Sequence, residues 1–194
     1  MATEVLEHAT EERLTRRRAT VEEFWSLPES VLPVEYINGE IVMAPTPTVS
    51  HQSILGNLYV ALYDFVKRNA LGRVFPAPLD VVLTTGDVVQ PDIFFITAKQ
   101  VERVSAAKRV EVVPPFLVEI LSPGSVTHDM IRKRALYEKN GVREYWIVNP
   151  TARSIAQLVL RKKHYALTEL GESDVIKGVV PAGFESNAGE LLGT

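Results

Sequence analysis

Two acidic residues interrupt apolar segments that otherwise have the composition of buried strands. Asp92 lies in segment 90–96 and Glu119 in segment 116–121. Both segments are short and rich in β-branched and aromatic residues, which is typical of core strands. An ionised carboxylate there is costly unless it is paired or binds a metal. A single acid in an apolar strand is more often an edge residue or a salt-bridge partner, but two of them, on strands that could lie side by side, suggest a metal site.

A predicted helix after the second strand adds a cation to these acids. Asp129 and Lys133 are four residues apart and therefore share one face of that helix. Two carboxylates that hold Mg²⁺, and a lysine that offsets charge on phosphate and hydroxide, suit phosphodiester hydrolysis. Arg132 and Arg134 point roughly 100° to either side of Lys133 on a helix, so we do not expect them to replace it. Tyr137 lies one turn further along the same face, where packing is its default role.

A longer series of short motifs runs in order between residues 36 and 150. The motifs are Ile37-Asn38-Gly39-Glu40, Pro45 through His51-Gln52, Gln90-Pro91-Asp92, Val118-Glu119-Ile120-Leu121-Ser122-Pro123, Asp129-Met130-Ile131-Arg132-Lys133, Tyr137 and Gly141-Val142-Arg143-Glu144-Tyr145-Trp146. Together they resemble a large bacterial family of restriction-type endonucleases within the PD-(D/E)XK nuclease superfamily. The resemblance covers somewhat over half of the chain.

The resemblance implies an α/β fold, with a restriction-endonuclease-like mixed β-sheet core flanked by helices, an N-terminal helix and a β-hairpin. It also implies a metal-dependent endonuclease that hydrolyses phosphodiester bonds of nucleic acid, with DNA as the expected substrate. Asp92, Glu119 and the Ile120 carbonyl would hold Mg²⁺, for which Mn²⁺ could substitute. The superfamily's lysine usually follows the second acid by two residues, where this chain has Leu121. The family resemblance assigns the amine to Lys133 instead.

The same resemblance brings Glu40 and His51 towards the site, because the hairpin and this histidine flank the nuclease centre in the family. Glu40 would add a metal oxygen ligand, directly or through water. His51 would bind phosphate or position water, since imidazole takes either protonation state near neutral pH. Without the resemblance, a lone histidine is more often structural or solvated.

Several local patterns predict the elements that position these residues. A capping box at 20–23 predicts a short helix to about residue 27. Asn38-Gly39 predicts a type I′ hairpin turn. Apolar residues at helical spacing predict a long helix over 50–69, capped by Ser50 or Thr48. A second helix is predicted over 128–140, with Thr127 as its cap.

The remaining segments are assigned from composition. We expect strands over 73–75, 79–83, 144–148 and 154–160, a short helix within 98–111, and a solvated basic turn at 161–164. Residues 165–194 are predicted to form edge strands and a loose tail. Residues 1–19 are predicted to be a mobile or weakly helical polar arm, and residues 20–194 a single nuclease-like domain. Arginines 16–18 in that arm could meet phosphate, although a charge run is more often solvated.

The whole composition sets limits on compartment and partners. The 194 residues carry a net charge of −3 and no cysteine, so any nucleic-acid surface must be local, and disulfides and thiol catalysis are excluded. The N-terminus lacks the apolar core of a signal peptide, and no apolar run is long enough to span a bilayer. We therefore expect a cytoplasmic protein with no membrane partner. Analogy with restriction-type nucleases favours a homodimer.

Two other functions remain open at this point. The first is a non-catalytic nucleic-acid-binding or interaction module that keeps the nuclease fold, which Leu121 and the acidic net charge favour modestly. The second is a different metal hydrolase acting on a small phosphoester. Divalent-dependent cleavage separates the endonuclease from the first, and comparison of a plasmid with a mononucleotide separates it from the second.

Overall fold

The structure is a computed structural model that describes residues 15–28, 32–44, 46–104, 107–122 and 128–193. Its strands are β1 (Thr15–Arg18), β2 (Val34–Ile37), β3 (Glu40–Met43), β4 (Gly72–Pro76), β5 (Val81–Val82), β6 (Val88–Val89), β7 (Ile93–Thr97), β8 (Phe116–Ile120), β9 (Glu144–Asn149), β10 (Ser154–Arg161), β11 (His164–Gly171), β12 (Val175–Lys177) and β13 (Glu185–Asn187). Its helices are α1 (Val21–Trp25), α2 (Val49–Arg68), α3 (Ala98–Val104), α4 (His128–Lys139) and α5 (Ala188–Leu192).

The core is a six-stranded mixed sheet in the order β11-β10-β9-β8-β7-β4. Strands β8 and β9 are parallel, and the other neighbours are antiparallel. This confirms the predicted α/β class and the mixed sheet. The strands that carry or adjoin the two acids, β7 and β8, lie side by side in its interior, where both faces can be covered by apolar side chains.

The long helix α2 covers one face of this sheet. Its buried residues Ile54, Leu58, Leu62 and Val66 join a core cluster with residues of β7, β8 and β9. The helix begins at Val49, and the Thr48 side chain accepts a hydrogen bond from the His51 backbone N–H. The prediction of a helix over 50–69 with Thr48 as a possible cap is therefore confirmed.

The predicted hairpin belongs to a second sheet of five strands, in the order β1-β3-β2-β6-β5. Asn38 and Gly39 have φ angles of 52° and 78°, as a type I′ turn requires. The capping box before α1 is also present, since Thr20 N–H donates to Glu23 and Glu23 N–H donates to Thr20. The predicted strand over 79–83 is reduced to the two residues of β5.

The prediction for residues 1–19 was wrong in its last part. Residues 15–18 form strand β1, which pairs with β3 along its whole length, whereas residues 1–14 lie outside the described residues. Three consecutive arginines carry no apolar alternation, so the local sequence has no strand signal. The strand forms because the edge of β3 offers backbone partners, a tertiary effect that strand propensity does not capture.

The prediction of a loose C-terminal tail was also wrong. Residues 164–192 contain β11, β12, β13 and α5, and Leu191 and Leu192 are buried in the core cluster of α2. The apolar residues here follow no single period, so the sequence gives little sign of this packing. The basic turn at 161–164 is confirmed between β10 and β11.

Other predictions fall partly outside the described residues. The helix expected within 98–111 is α3, and residues 105–106 are not described. The turn after β8 and the Thr127 cap lie within the undescribed 123–127. No helix in the described part of the chain is long and apolar enough to cross a membrane.

Candidate active site

The pairing of β7 with β8 brings Asp92 and Glu119 together. Ile93 lies opposite Val118 in this antiparallel pair, so the next position outward sets Asp92 opposite Glu119. Residues directly opposite each other in a pair point to the same face of the sheet. Asp92 Oδ2 also accepts a hydrogen bond of 2.7 Å from the Ile120 backbone N–H. The two predicted metal ligands therefore converge at one end of adjacent strands.

Lys133 extends from α4 to Glu119. Its Nζ lies 3.0 Å from Glu119 Oε1 and 2.9 Å from Glu35 Oε1, and its side chain is only 12% exposed. Burial opposes the charge on this amine, but the carboxylates of Glu119 and Glu35 outweigh that effect and raise the pKa of Lys133 well above its usual value. Lys133 is therefore a permanent cation beside Glu119 rather than a group that takes up protons.

The Glu119 carboxyl is affected by the charges of Lys133, Glu35 and Asp92. Burial raises the pKa of Glu119 to about 7; the Lys133 ammonium opposes this shift, and the charges of Glu35 and Asp92 add to it. The Tyr137 hydroxyl donates to Glu119 Oε1 at 2.6 Å and favours the ionised form. Further positive charge near this carboxyl would hold it ionised, which is the effect of a bound divalent cation.

His51 joins the same group from the first turn of α2. Its Nε2 lies 3.3 Å from Asp92 Oδ1, and the residue is buried. Burial lowers the pKa of His51, but the hydrogen bond and charge of Asp92, with smaller effects from Glu119 and the Ile120 backbone, raise it overall. His51 thus contacts an oxygen atom of Asp92, one of the predicted metal ligands. Its Nδ1 is buried without a hydrogen-bond partner among the described residues.

Glu35 was missed by the sequence analysis. It lies on β2, is 5% exposed, and accepts hydrogen bonds from Lys133 and from the Gln90 backbone N–H. The signal was present in the alternation of β2, because Glu35 and Ile37 share a face and Ile37 is a core residue. An acid on the inward face of an alternating strand was therefore visible, although its partner was not.

Glu40 lies next to the connected group of Asp92, Glu119, Lys133 and His51 but is not bonded to it. Its Oε2 accepts a hydrogen bond of 2.8 Å from Arg132, the residue before Lys133 in α4. This hydrogen bond lowers the pKa of Glu40; burial opposes the shift, and the charges of Arg132, Arg18 and Arg16 add to it. Of the five predicted catalytic residues, Asp92, Glu119, Lys133 and His51 form one connected group, and Glu40 anchors Arg132 next to it.

Tyr137 and Leu121 have distinct roles around Glu119. Tyr137 is fully buried, and burial followed by the charges of Glu119 and Glu35 raises its pKa well above the usual value, so its hydroxyl stays a donor. Leu121, at the superfamily's usual lysine position, is buried in the core cluster that includes Tyr137. The side chain of Asp129 lies outside the described part of the structure.

The donor atoms at this end of the strands suit a hard divalent cation. Mg²⁺ is commonly held by one or two carboxylates, and its other positions are filled by water and substrate phosphate. Asp92, Glu119 and the Ile120 carbonyl supply oxygen donors of this kind. Within the described residues, no three His, Asp or Glu side chains form a ready-made metal cluster. The oxygen donors of Asp92, Glu119 and Ile120 are of the kind that a hard divalent cation prefers.

Comparison with known proteins gives the family. The model of a family named Uma2, described as "Putative restriction endonuclease", matches residues 21–189. The chain belongs to the Uma2 family. This confirms the resemblance found in the motifs, and the Uma2 match extends from α1 into α5.

A solved structure supports the same fold for this Uma2 chain. It is described as a "putative nuclease belonging to DUF820" from Anabaena variabilis, and it is similar with a TM-score of 0.77 and 22% sequence identity. The similarity covers 89% of this chain and 97% of the other, so the nuclease-like fold spans most of both molecules. No curated protein matches the chain.

Proposed function

We propose that the protein is a Mg²⁺-dependent endonuclease that hydrolyses phosphodiester bonds of DNA, with Mn²⁺ able to replace Mg²⁺. The observation that carries the proposal is the buried Lys133 ammonium bonded to Glu119, beside Asp92 on the neighbouring strand. Membership of a family described as restriction endonucleases supports the reaction class. The absence of cysteine is compatible with a cytoplasmic enzyme.

The metal would be held by Asp92, Glu119 and the Ile120 carbonyl. When bound, Mg²⁺ supplies Lewis-acid activation of water and neutralisation of phosphate charge. Lys133 remains protonated, so it donates hydrogen bonds to the phosphate oxygens and stabilises the charge that develops on them in the transition state. Its second carboxylate partner, Glu35, helps to fix the position of the amine.

His51 and Tyr137 orient the two acids. His51 contacts Asp92 Oδ1 through Nε2 and holds this carboxylate in place. Tyr137 donates to Glu119 Oε1 and leaves the other carboxylate oxygen available to a cation. Both side chains are buried, so they exclude bulk water from the acids they contact.

The location of Lys133 favours the endonuclease over a non-catalytic module. If Leu121 marked loss of the catalytic lysine, no buried amine would be needed beside Glu119. Instead, an amine from α4 lies 3.0 Å from Glu119, while Leu121 fills the core. A retained binding module has no reason to bury a cation between two carboxylates, since such a pair adds little or no stability over apolar packing.

The test is cleavage of supercoiled plasmid with Mg²⁺, with Mn²⁺ and with a chelator. We expect nicking or linearisation with either metal, none with chelator, and none by Asp92→Asn. Asp64→Asn is the matched control, because it makes the same chemical change at an exposed position of α2. Cleavage by Asp92→Asn at the wild-type rate would contradict the proposal. Metal-independent DNA binding without cleavage would favour the module, and hydrolysis of a mononucleotide but not of plasmid would favour the small-phosphoester hydrolase.

A further inference from the structure

The three arginines of β1 lie on two different faces of the five-stranded sheet. In the antiparallel pair of β1 with β3, Arg18 is opposite Glu40 and Arg17 is opposite Ile41. Opposite residues share a face, and successive residues alternate between faces. Arg16 and Arg18 therefore lie on the face of Glu40, and Arg17 lies on the other face.

The face of Arg16 and Arg18 is the one that meets the candidate active site. Glu40 is opposite Ile37 in the pair of β3 with β2, so Ile37 and, two residues before it, Glu35 point the same way. Glu35 bonds Lys133, and Glu40 bonds Arg132. Two consecutive residues of α4 thus contact this face of the sheet at adjacent strands.

The opposite face is separate from the site. Ile41, Val88 and Phe24 form a small buried cluster there, and Phe24 comes from α1. Arg17 shares the side of Ile41 and α1, so the sheet itself lies between Arg17 and the Lys133 group. Strand β1 therefore places Arg16 and Arg18 on the face that meets the candidate active site and Arg17 on the face that meets α1.

Positive charge is concentrated on the site-facing side. Arg132, Arg18 and Arg16 all act on the Glu40 carboxyl, with Arg132 bonded to it directly. All four residues of β1 are exposed, and β1 is an edge strand of its sheet. The Arg18 side chain makes no hydrogen bond or ion pair with the described residues, although Arg18 pairs with Glu40 in the β1–β3 ladder. In a protein with a net charge of −3, this is a local basic surface beside acidic catalytic groups.

We propose that Arg16 and Arg18, together with Arg132, form a phosphate-binding strip that holds the DNA backbone next to Lys133. Guanidinium groups bind phosphate with bidentate hydrogen bonds. Side chains two residues apart on a strand are separated by about 6.6 Å, which lets both reach neighbouring phosphates of one strand. The strip rests on the proposed function for its substrate, and it adds the surface by which that substrate is held.

The experiment measures binding of a short fluorescent DNA duplex by anisotropy, with chelator present so that the proposed cleavage is off. The variants are Arg16→Ala, Arg18→Ala and, as matched control, Arg17→Ala. All three lose one positive charge from the same strand. We expect the first two to weaken binding by roughly tenfold at low salt and to reduce the salt slope by about one each. Arg17→Ala should change affinity less than about twofold.

A further variant, Arg18→Lys, separates an effect of the lost charge from an effect of impaired folding. Arg18→Lys should recover most of the lost salt slope, because it restores the cation, and melting temperatures of all variants should remain close to wild type. Equal weakening by Arg17→Ala, unchanged binding by Arg16→Ala and Arg18→Ala, or no duplex binding by the wild type would each overturn the strip. Strip-dependent binding of an RNA duplex, with no binding of the DNA duplex, would overturn DNA as its partner.

These experiments can contradict the phosphate-binding strip and the proposed hydrolytic function independently of each other. If the wild type cleaves plasmid with Mg²⁺ but the strip variants bind normally, the strip is wrong and the proposed function stands. If binding depends on Arg16 and Arg18 but no metal supports cleavage, the strip stands and the hydrolytic function is wrong.

Discussion

A lysine ammonium buried to the extent of Lys133 requires nearby negative charge. Two carboxylate oxygens, one from Glu35 and one from Glu119, lie within 3.0 Å of its Nζ. Removing one partner of a buried ionic group costs more than the group contributes when intact, because the remaining charge is left uncompensated. Lys133 therefore has a structural role in addition to its proposed catalytic one, and a test must separate the two.

Lys133→Met should abolish cleavage and destabilise the metal-free protein by about 3–5 kcal/mol, because Glu35 and Glu119 lose their cation. If Asp92 and Glu119 hold the metal, Mn²⁺ should raise the melting temperature more in this variant than in the wild type. Single-turnover cleavage at matched metal occupancy and thermal unfolding are the measurements. Lys139→Met, at an exposed position of the same helix, is the control. A wild-type cleavage rate in Lys133→Met would exclude the catalytic role.

The sequence predicted those site residues whose signal is local, and the family resemblance supplied others. Asp92 and Glu119 each interrupt an apolar strand, so their types and positions suffice to single them out. Glu35 could not be assigned because its partner Lys133 is 98 residues away, and only the assembled sheet and α4 bring them together. For Glu40, the resemblance suggested a metal ligand, whereas the structure pairs it with Arg132.

At the scale of elements, α4 is held in place at both ends. Near its start, Arg132 bonds Glu40 of β3. Near its end, Glu138 Oε1 accepts a hydrogen bond of 2.6 Å from the Tyr165 backbone N–H of β11, and Asn140 accepts one from Thr84. These contacts set the position of the helix, and therefore the point that the Lys133 amine can reach.

Glu138→Gln should make the stability difference from wild type depend on pH. The Tyr165 N–H bond lowers the pKa of Glu138 from 4.5, with burial opposing and His164 adding. The folded protein therefore binds this proton less readily than the unfolded chain. The contribution of the carboxylate is present above the unfolded pKa and is lost as the pH falls through the folded value.

We expect a deficit of about 0.5–1 kcal/mol for the variant near pH 7, since one charge-assisted hydrogen bond becomes neutral. The deficit should disappear at low pH, below the folded pKa. Urea unfolding at both pH values measures it, and Glu169→Gln on the exposed side of β11 is the control. A deficit of the same size at both pH values would show that the charge of Glu138 is not its cause.

Elements with a regular apolar period were predictable, and those made by tertiary pairing were not. Helix α2 has four buried apolar residues at helical spacing, and the β2–β3 turn has Asn-Gly. In contrast, β1 is three arginines and a threonine, all exposed, and it is a strand only because β3 pairs with it. The proposed phosphate-binding strip exists because of this pairing.

At the scale of the whole molecule, the C-terminal residues complete the main core. Ile176, Val180, Phe184, Leu191 and Leu192 belong to the cluster that joins α2 to the six-stranded sheet. The buried Glu144 carboxylate of β9 accepts hydrogen bonds of 2.6 Å from the backbone N–H groups of Val179 and Val180. The segment after β11 is thus tied to the sheet by polar as well as apolar contacts.

Leu191→Ala should therefore destabilise the protein by about 2–5 kcal/mol, the range for truncating a buried leucine. Leu167→Ala removes the same atoms from a side chain that is 48% exposed, so it should cost less than about 0.5 kcal/mol. Urea unfolding of the two variants measures the difference. Similar stabilities for both would mean that α5 does not contribute to the core in solution.

The oligomeric state remains a prediction. We expect a homodimer because cutting both strands of a duplex is served by two active sites, an argument from fold analogy alone. Light scattering at high protein concentration tests it. A monomer under those conditions would contradict the expectation and would limit each encounter to a single-strand nick.

A crystal soaked with Mn²⁺ tests whether Asp92 and Glu119 form a divalent metal site. We expect an anomalous scattering peak about 2.0–2.3 Å from oxygen atoms of Asp92 and Glu119, with the Ile120 carbonyl close to it and Lys133 displaced towards Glu35. We also expect the peak to be lost from crystals of Glu119→Ala. An ordered Mn²⁺ elsewhere, or the same peak in Glu119→Ala, would contradict the assignment.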